Sequence, residues 1–503
     1  KILIPDENSP QLKFFKDSLS LLIYIQAVLI KIGLSNYTIS NLSLFISTVF
    51  FSIGIFLFCK NLLNIILKKN SNLISLIFTS LLLLSDTHMP HTDYPNAYFG
   101  AFTAGIYSIA LTTLIFGLLI ENETKLVIFF AILLFLYHPV QGLWVGGVLF
   151  LLYIIDSIFI DKTFKLQNLK YIILGISVSV ITAIYFLFIH SEINSADIDA
   201  ELFSLWMNKW ESHRNNLGFN YNYLKITLIL FIFSSLLFYI FLKKKDKKIY
   251  KFFLFTSLTT LLSTIVYIVY KLTFEYLPLF IIIPMPTRFI NSHAMVGYPI
   301  ILISCLIFVS LISDYFKINK NYFILSIFIV LFSGYIFNHQ HDSLSKRFKS
   351  IYKNRFEKIY YQFKTNINYK GKKYYDKEFW NRVKDLDKKS YTIITFSTEN
   401  LTLRHGYMPY LIKITSFDYV PYRPKTITQT VNILTKVYGV NFKKVKKNFD
   451  ENFIKKIFES RSNDNWKDLK KIFNAKYVLV PINWNINLNL ILQNDEFGVY
   501  EIQ

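Results

Sequence analysis

Apolar runs separated by short polar stretches follow one another along the first two-thirds of the chain. They cover 42–59, 72–84, 101–120, 126–137, 142–155, 171–189, 224–242, 252–270, 296–313 and 322–337. Runs of this kind predict membrane helices, although several fall short of the ~20 residues that a full span takes. The pair 126–137 and 142–155 is long for one helix, and His138-Pro139-Val140-Gln141-Gly142 interrupts it. That interruption predicts two short helices meeting at a polar break, which membrane depth tolerates only where protein or water lines it. Ahead of these runs, 11–33 is apolar but carries Lys13, Lys16, Asp17, Gln26 and Lys31, the pattern of a helix lying along a membrane surface.

From Asn338 the runs shorten and charges rise, so a soluble part is expected to begin near His339. Within it, 391–396 alternates and is β-branched, predicting a strand, and 412–414 predicts another. The stretch 466–473 reads as a helix leading into a short buried strand at 477–481, and 490–493 with 499–502 reads as a hairpin around 494–498. Helix-then-strand alternation predicts a small α/β domain.

Composition agrees with the pattern. The 503 residues are 53% hydrophobic, too apolar for a soluble protein of this size. The net charge of +22 raises nucleic acid as a partner. Many of the lysines sit in short loops between apolar runs, however, and the abundance of Lys, Ile, Asn, Phe and Tyr fits an AT-rich coding sequence, so no nucleic acid is expected. Cys59 and Cys305, the two cysteines, lie in predicted membrane runs without neighbours at metal-ligand spacing and read as packing residues. The chain opens at Lys1 with no charged n-region or apolar h-region, so a preceding segment is expected. No GxxxxGK[ST], GxGxxG or GxSxG motif occurs, which disfavours a P-loop ATPase or a dinucleotide enzyme.

The short loops orient the chain. Lysines at 60, 68 and 69, at 162, 165 and 170, along 243–251 (KKKDKKIYK), and at 317 and 320 make nearly every second loop basic. Those loops are expected in the cytoplasm; the short ENETK at 121–125 is the exception in charge. The fold class that follows is a polytopic α-helical membrane protein with about ten or eleven transmembrane helices, some short or broken, and a C-terminal small α/β soluble domain. Its expected divisions are 1–40 as an outer loop with an interfacial amphipathic helix, 41–338 as the transmembrane domain, and 339–503 as an extracytoplasmic domain.

Candidate chemistry gathers on the outer loops. The stretch 85–100, SDTHMPHTDYPNAYFG, packs Asp86, His88, His91 and Asp93 between two apolar runs, with Pro90 and Pro95 forbidding a continuous helix. His138 falls in the break, His190 and Glu192 open the long loop 190–223, and Arg288 and His293 lie in 271–295. Under this orientation all of them share one face. A guanidinium such as Arg288 binds phosphate bidentately and keeps its charge, although it also suits a snorkelling interfacial position. His88, His91 and Asp93 could ligate a divalent metal ion, at a spacing that matches no recognised zinc pattern; the alternative is that each imidazole caps a helix end or binds headgroup phosphate. Trp206 and Trp210, beside carboxylates on the long loop, fit an interfacial aromatic belt or sugar stacking.

The layout resembles the GT-C superfamily of integral-membrane glycosyltransferases. The resemblance rests on the many short membrane runs, the polar breaks in outer loops, and an ending, WKDLKKIFNAKYVLVP at 466–481 followed by NDEFGVYEI at 494–502, that is similar to soluble tails of such proteins and of other large bacterial membrane proteins. It implies transfer of a sugar from a polyprenyl-phosphate donor to a glycan, lipid or protein acceptor at the outer face of a bacterial inner membrane. In that family a carboxylate of the first outer loop acts as base or positions the acceptor, which maps to Asp6 and Glu7, with Asp93 as a further candidate. Arg288, His293, His138, His88, His91 and Glu192 would then contact phosphate or substrate. The alternatives are a transporter or flippase of lipid-linked glycans, which paired charges within the spans and two similar halves would favour, and a non-enzymatic membrane assembly protein.

Overall fold

The computed structural model describes residues 9–10, 21–34, 36–67, 71–84, 104–160, 177, 199–206, 210, 221–277, 286–294, 296–316, 376–402, 406, 408–414, 417, 419–443 and 449–503. The apolar runs are helices: α1 (Leu21–Lys31), α2 (Asn36–Ile66), α3 (Ser71–Leu84), α4 (Ala104–Ile120), α5 (Thr124–Tyr137) and α6 (Pro139–Ile154), which continues into a π turn at Ile155–Ile160. A short α7 (Ala200–Leu205) precedes the long α8 (Tyr221–Lys243) and α9 (Lys247–Thr273). Two 3-10 turns, Phe274–Tyr276 and Pro286–Ile290, lead to α10 (Asn291–Ala294) and α11 (Gly297–Phe316). Apart from residue 177, the runs at 171–189 and 322–337, and the expected domain start near His339, lie outside the described residues.

Among the described residues, four stretches are long and apolar enough to cross a membrane: Asn41–Ile66, Pro139–Ile160, Leu224–Lys243 and Lys247–Thr273. Large apolar side chains such as Phe45, Phe129, Leu228 and Val269 point outward from the bundle, which only a lipid surround makes favourable on this scale. The protein is therefore a helical membrane protein. The helix at 21–31 also packs against α2 and α5, with Leu22 buried in the bundle core.

The bundle is pinned where two backbones touch. A Cβ on Gly54 of α2 would collide with the Thr113 carbonyl oxygen of α4, and one on Gly117 would stand 2.5 Å from the Gly54 carbonyl oxygen. Small residues at such a crossing replace a hydrophobic driving force that lipid does not supply. Polar ties close one end of the bundle. Lys60 lies in the last turns of α2, not in a loop, and its ammonium sits 3.3 Å from Glu121, which also accepts a 2.9 Å bond from Asn61. The acidic turn after α4 thus belongs with the basic ends. Asp156, expected in a solvated loop, lies in the π turn and pairs with α9.

The C-terminal region is a four-stranded sheet, β1 (Tyr391–Ile393), β2 (Ala475–Pro481), β3 (Asn489–Gln493) and β4 (Phe497–Glu501), in the order β1-β2-β4-β3. β1 runs parallel to β2, and the other pairs are antiparallel. Helices α12 (Lys377–Lys384), α13 (Phe396–Leu401), α14 (Tyr419–Tyr422), α15 (Ile427–Tyr438), α16 (Glu451–Glu459) and α17 (Asn463–Phe473) flank it. β2 is apolar from Tyr477 on because both of its faces are covered there: Val478 and Val480 join a core with Trp466 and Leu469 of α17, whereas Tyr477 and Leu479 meet Phe379 and Trp380 of α12. The expected strand at 412–414 is not one. Leu411, Ile412 and Ile414 are buried core residues, and Tyr410 alone bridges to Thr392.

Trp206 and Trp210 overturn the reading of an aromatic belt or a sugar platform. Both are buried in the C-terminal core, where Trp206 lies 5.6 Å from Phe442 and Trp210 5.1 Å from it, both stacked. Phe274 and Leu277, just beyond α9, pack on the same core. Two connections of the bundle are therefore built into the sheet domain. Asp199 among the loop acids caps α7, accepting from the Leu202 N–H at 2.9 Å.

Gly54→Val forces α2 and α4 apart, and we expect about 3 kcal/mol or more of lost stability, read as a lower melting temperature in detergent, whereas Gly147→Ala, with no neighbour within 4 Å, leaves it unchanged. Trp206→Ala empties a core site, and limited proteolysis should cleave the sheet domain faster, with about 3–5 kcal/mol lost.

Candidate functional site

The break between α5 and α6 is one residue, His138. Its backbone N–H donates to Leu134 O at 2.8 Å and closes α5, while its carbonyl accepts from Gly142 N at 2.9 Å and opens α6. Its imidazole Nδ1 accepts from the Gln141 N–H at 3.3 Å, the role that an Asp or Ser plays at most helix starts. Pro139 at the first helical position lacks an N–H that would otherwise need a partner. Gly142 permits the reversal, because a Cβ there would collide with the Phe135 Cα.

The first turns of α6 hold the segment that follows α9. Gln141, 2% exposed, donates from Nε2 to the Ser292 hydroxyl at 2.6 Å. Trp144 stacks on Phe289 with ring centroids 4.7 Å apart and planes 9° apart. These contacts fix the 3-10 turn that carries Arg288 against the start of α6. Burial and, after it, the Arg288 guanidinium push the His138 imidazole down from the usual 6.5 to about 4. The ring is therefore neutral at pH 7. With Nδ1 accepting, its proton is on Nε2, which is then a donor.

His138 and Arg288, far apart in sequence, are thus brought together. His293 corrects the expectation that it joins Arg288 on a phosphate: it is fully buried, and burial holds its imidazole down to about 3, so it is a neutral interior group. Asp6, Glu7, His88, His91, Asp93 and Glu192 lie outside the described residues. Among the described residues no group of three His, Cys, Asp or Glu is placed to hold a metal ion. Sequence reasoning passed over Gln141 and Ser292. The available signal was a lone amide two residues past a proline in an otherwise apolar run.

The start of α6 presents its positive dipole end beside the His138 imidazole, on which the Arg288 charge acts. Its surroundings are apolar: beside it lie the Trp144–Phe289 stack and the buried Tyr107–Tyr137 stack at 5.0 Å. The connection that carries Arg288 also carries Phe274 and Leu277, so the sheet domain adjoins this end of the bundle. No family model, curated protein or solved structure matches the chain.

The His138 proton gives a pH signature. Its folded value lies below 6.5, so between pH 6.5 and 4 the unfolded chain takes up the proton first. Stability is full above pH 6.5 and is lost as pH falls toward 4, with His293 adding in the same sense. Thermal unfolding at pH 7.5 and pH 5 should show that fall, and His138→Asn, which keeps a cap acceptor, should make it shallower.

Proposed function

We propose that the chain is a GT-C-like membrane glycosyltransferase moving a sugar from a polyprenyl-phosphate donor to a glycan, lipid or protein acceptor at the outer face of a bacterial inner membrane. The observation that carries this reading is Arg288 set against His138 and the start of a broken helix, an anion site with an apolar surround. Loss of a lipid phosphate from the sugar needs positive charge at the departing oxygens, and Arg288 with the positive dipole end of α6 supplies it without reorganisation. The His138 Nε2–H donates a further neutral hydrogen bond. A carboxylate takes the acceptor hydroxyl's proton, with Asp6, Glu7 and Asp93 the candidates. His88, His91 and Asp93 are the candidate ligands should a divalent ion take part.

The orientation supports the same reading. Lys60, Lys243–Lys245, Lys247, Lys248 and Lys251 crowd the end of the bundle away from His138, against Lys225 and Lys271 at the other end, and this excess supports a cytoplasmic assignment of the crowded end. The anion site and the sheet domain then face outward, in a bundle of about ten or eleven spans. A flippase of lipid-linked glycans is a second reading, favoured by the discontinuous α5–α6 pair, since in many transporters the start of a broken helix points at an anionic substrate group.

Purified protein in nanodiscs, given polyprenyl-phosphate-linked sugars and membrane acceptor fractions, separates the two. Arg288→Ala should lower transfer at least about 100-fold and Arg288→Lys less. Asp93→Asn tests the base. Unchanged turnover in Arg288→Ala removes the phosphate assignment, and transbilayer movement of donor lipid without transferred sugar supports the flippase.

A further inference from the structure

The anion site is assembled from two helices. α6 brings the His138 cap and Gln141, and α9 leads into the turn with Arg288 and Ser292. Apolar contact alone sets their relative slide poorly, since it has no direction. Among the described residues the middle of α6 is held by apolar contacts alone, through Val145, Val148 and Leu152 in the bundle core, and its other face is open. A Cβ added to Gly146 or Gly147 would meet no heavy atom within 4 Å, and Leu143 and Phe150 are 50% and 37% exposed.

At the far end of α6 the contacts become directional. Asp156 is 6% exposed, accepts a 2.6 Å bond from the Tyr250 hydroxyl, and pairs with the Lys251 ammonium at 2.7 Å. Both partners belong to the first turns of α9. The π turn at Ile155–Ile160 re-aims this stretch of α6, and such turns recur at functional positions. The other charged groups of this end include Lys243–Lys245 at the end of α8, Asp246 capping α9, Lys247 and Lys248 on α9, Lys60 on α2 and Glu121 after α4, the last already tied to Lys60. About 26 Å of helix separates Asp156 from the site, at 1.5 Å per residue.

We propose that Asp156 and Lys251, with Tyr250, are positioning residues that fix the register of α6 against α9 and so the spacing between His138 and Arg288. A slip of one helical turn moves about 5.4 Å, enough to part Gln141 from Ser292 and Trp144 from Phe289. The register holds for the fold whatever the ligand; its consequence for substrate rests on the phosphate reading above.

Photo-cross-linking in intact membranes tests the register. With Trp144→p-benzoylphenylalanine, irradiation should join residue 144 to the peptide holding Phe289, mapped by mass spectrometry. In folded, monodisperse Asp156→Asn and Lys251→Met protein, that product should fall roughly fivefold or more in favour of other partners, an effect of the size that couples distant sites. The swapped pair, Asp156→Lys with Lys251→Asp, should recover it to within about twofold. Should Asp156→Asn fail to fold, Lys251→Met carries the test, because it leaves Asp156 its Tyr250 bond. A merely stabilising pair lowers the melting temperature without moving the cross-link; an unchanged product ratio in the single variants, or no recovery in the swap, overturns the proposal. Binding of polyprenyl phosphate to nanodisc-held protein is the second reading. Parallel weakening in the single variants extends the register to the site, and unaltered binding confines its role to the fold and overturns the positioning claim. Absence of binding in the parent protein counts against the phosphate reading and leaves the cross-link result to stand alone.

Discussion

A helix that starts inside a membrane protein must find partners for its first backbone N–H groups, because hydrocarbon offers none. In this chain that demand falls on the few residues around His138. The imidazole answers one N–H, Pro139 removes another, and Gly142 lets the two helix ends approach to backbone contact. What is left over is a positive helix end in an apolar setting, and it is there that the chain places Arg288. The site is a consequence of breaking the helix, and the break is tolerated because protein lines it.

The charges sort along the bundle with the same logic. One end gathers lysines together with the carboxylates of Glu121 and Asp156, each in direct contact with a lysine. Among the described residues the other end holds fewer lysines, Lys225 and Lys271, together with neutral imidazoles, the Arg288 guanidinium and stacked aromatic rings. The sheet domain is attached at this second end through side chains that the membrane connections themselves supply, Phe203, Trp206 and Trp210 from one and Phe274 and Leu277 from another. Its position is thus a matter of shared core, a firmer attachment than surface contact gives.

Much of this was legible in the sequence because the signals are one-dimensional. Apolar runs marked the helices, and a histidine-proline pair within one long run marked the break. The YVLV stretch declared a strand buried on both faces. What the sequence concealed depends on partners distant along the chain. Trp206 and Trp210 look like any loop tryptophans until Phe417 and Phe442 arrive from the tail to enclose them. Arg288 and His293 look equivalent, yet one lies in a turn and the other on the following helix with its ring wholly inside. Helix ends misled as well: α2 runs on past Cys59 through Lys60 and Asn61 because those polar side chains find Glu121 across the bundle. The segment at 412–414 has the composition of a strand, but β1 already has β2 along one edge and takes only a single bridge on the other.

The claim that an anionic lipid headgroup sits on the broken helix is open to direct inspection. A cryo-electron-microscopy structure in nanodiscs loaded with polyprenyl phosphate should show phosphate density within hydrogen-bond reach of Arg288 and the His138 imidazole, at the start of α6. Density for that headgroup at the lysine-rich end, with the His138 break bare, would contradict the account.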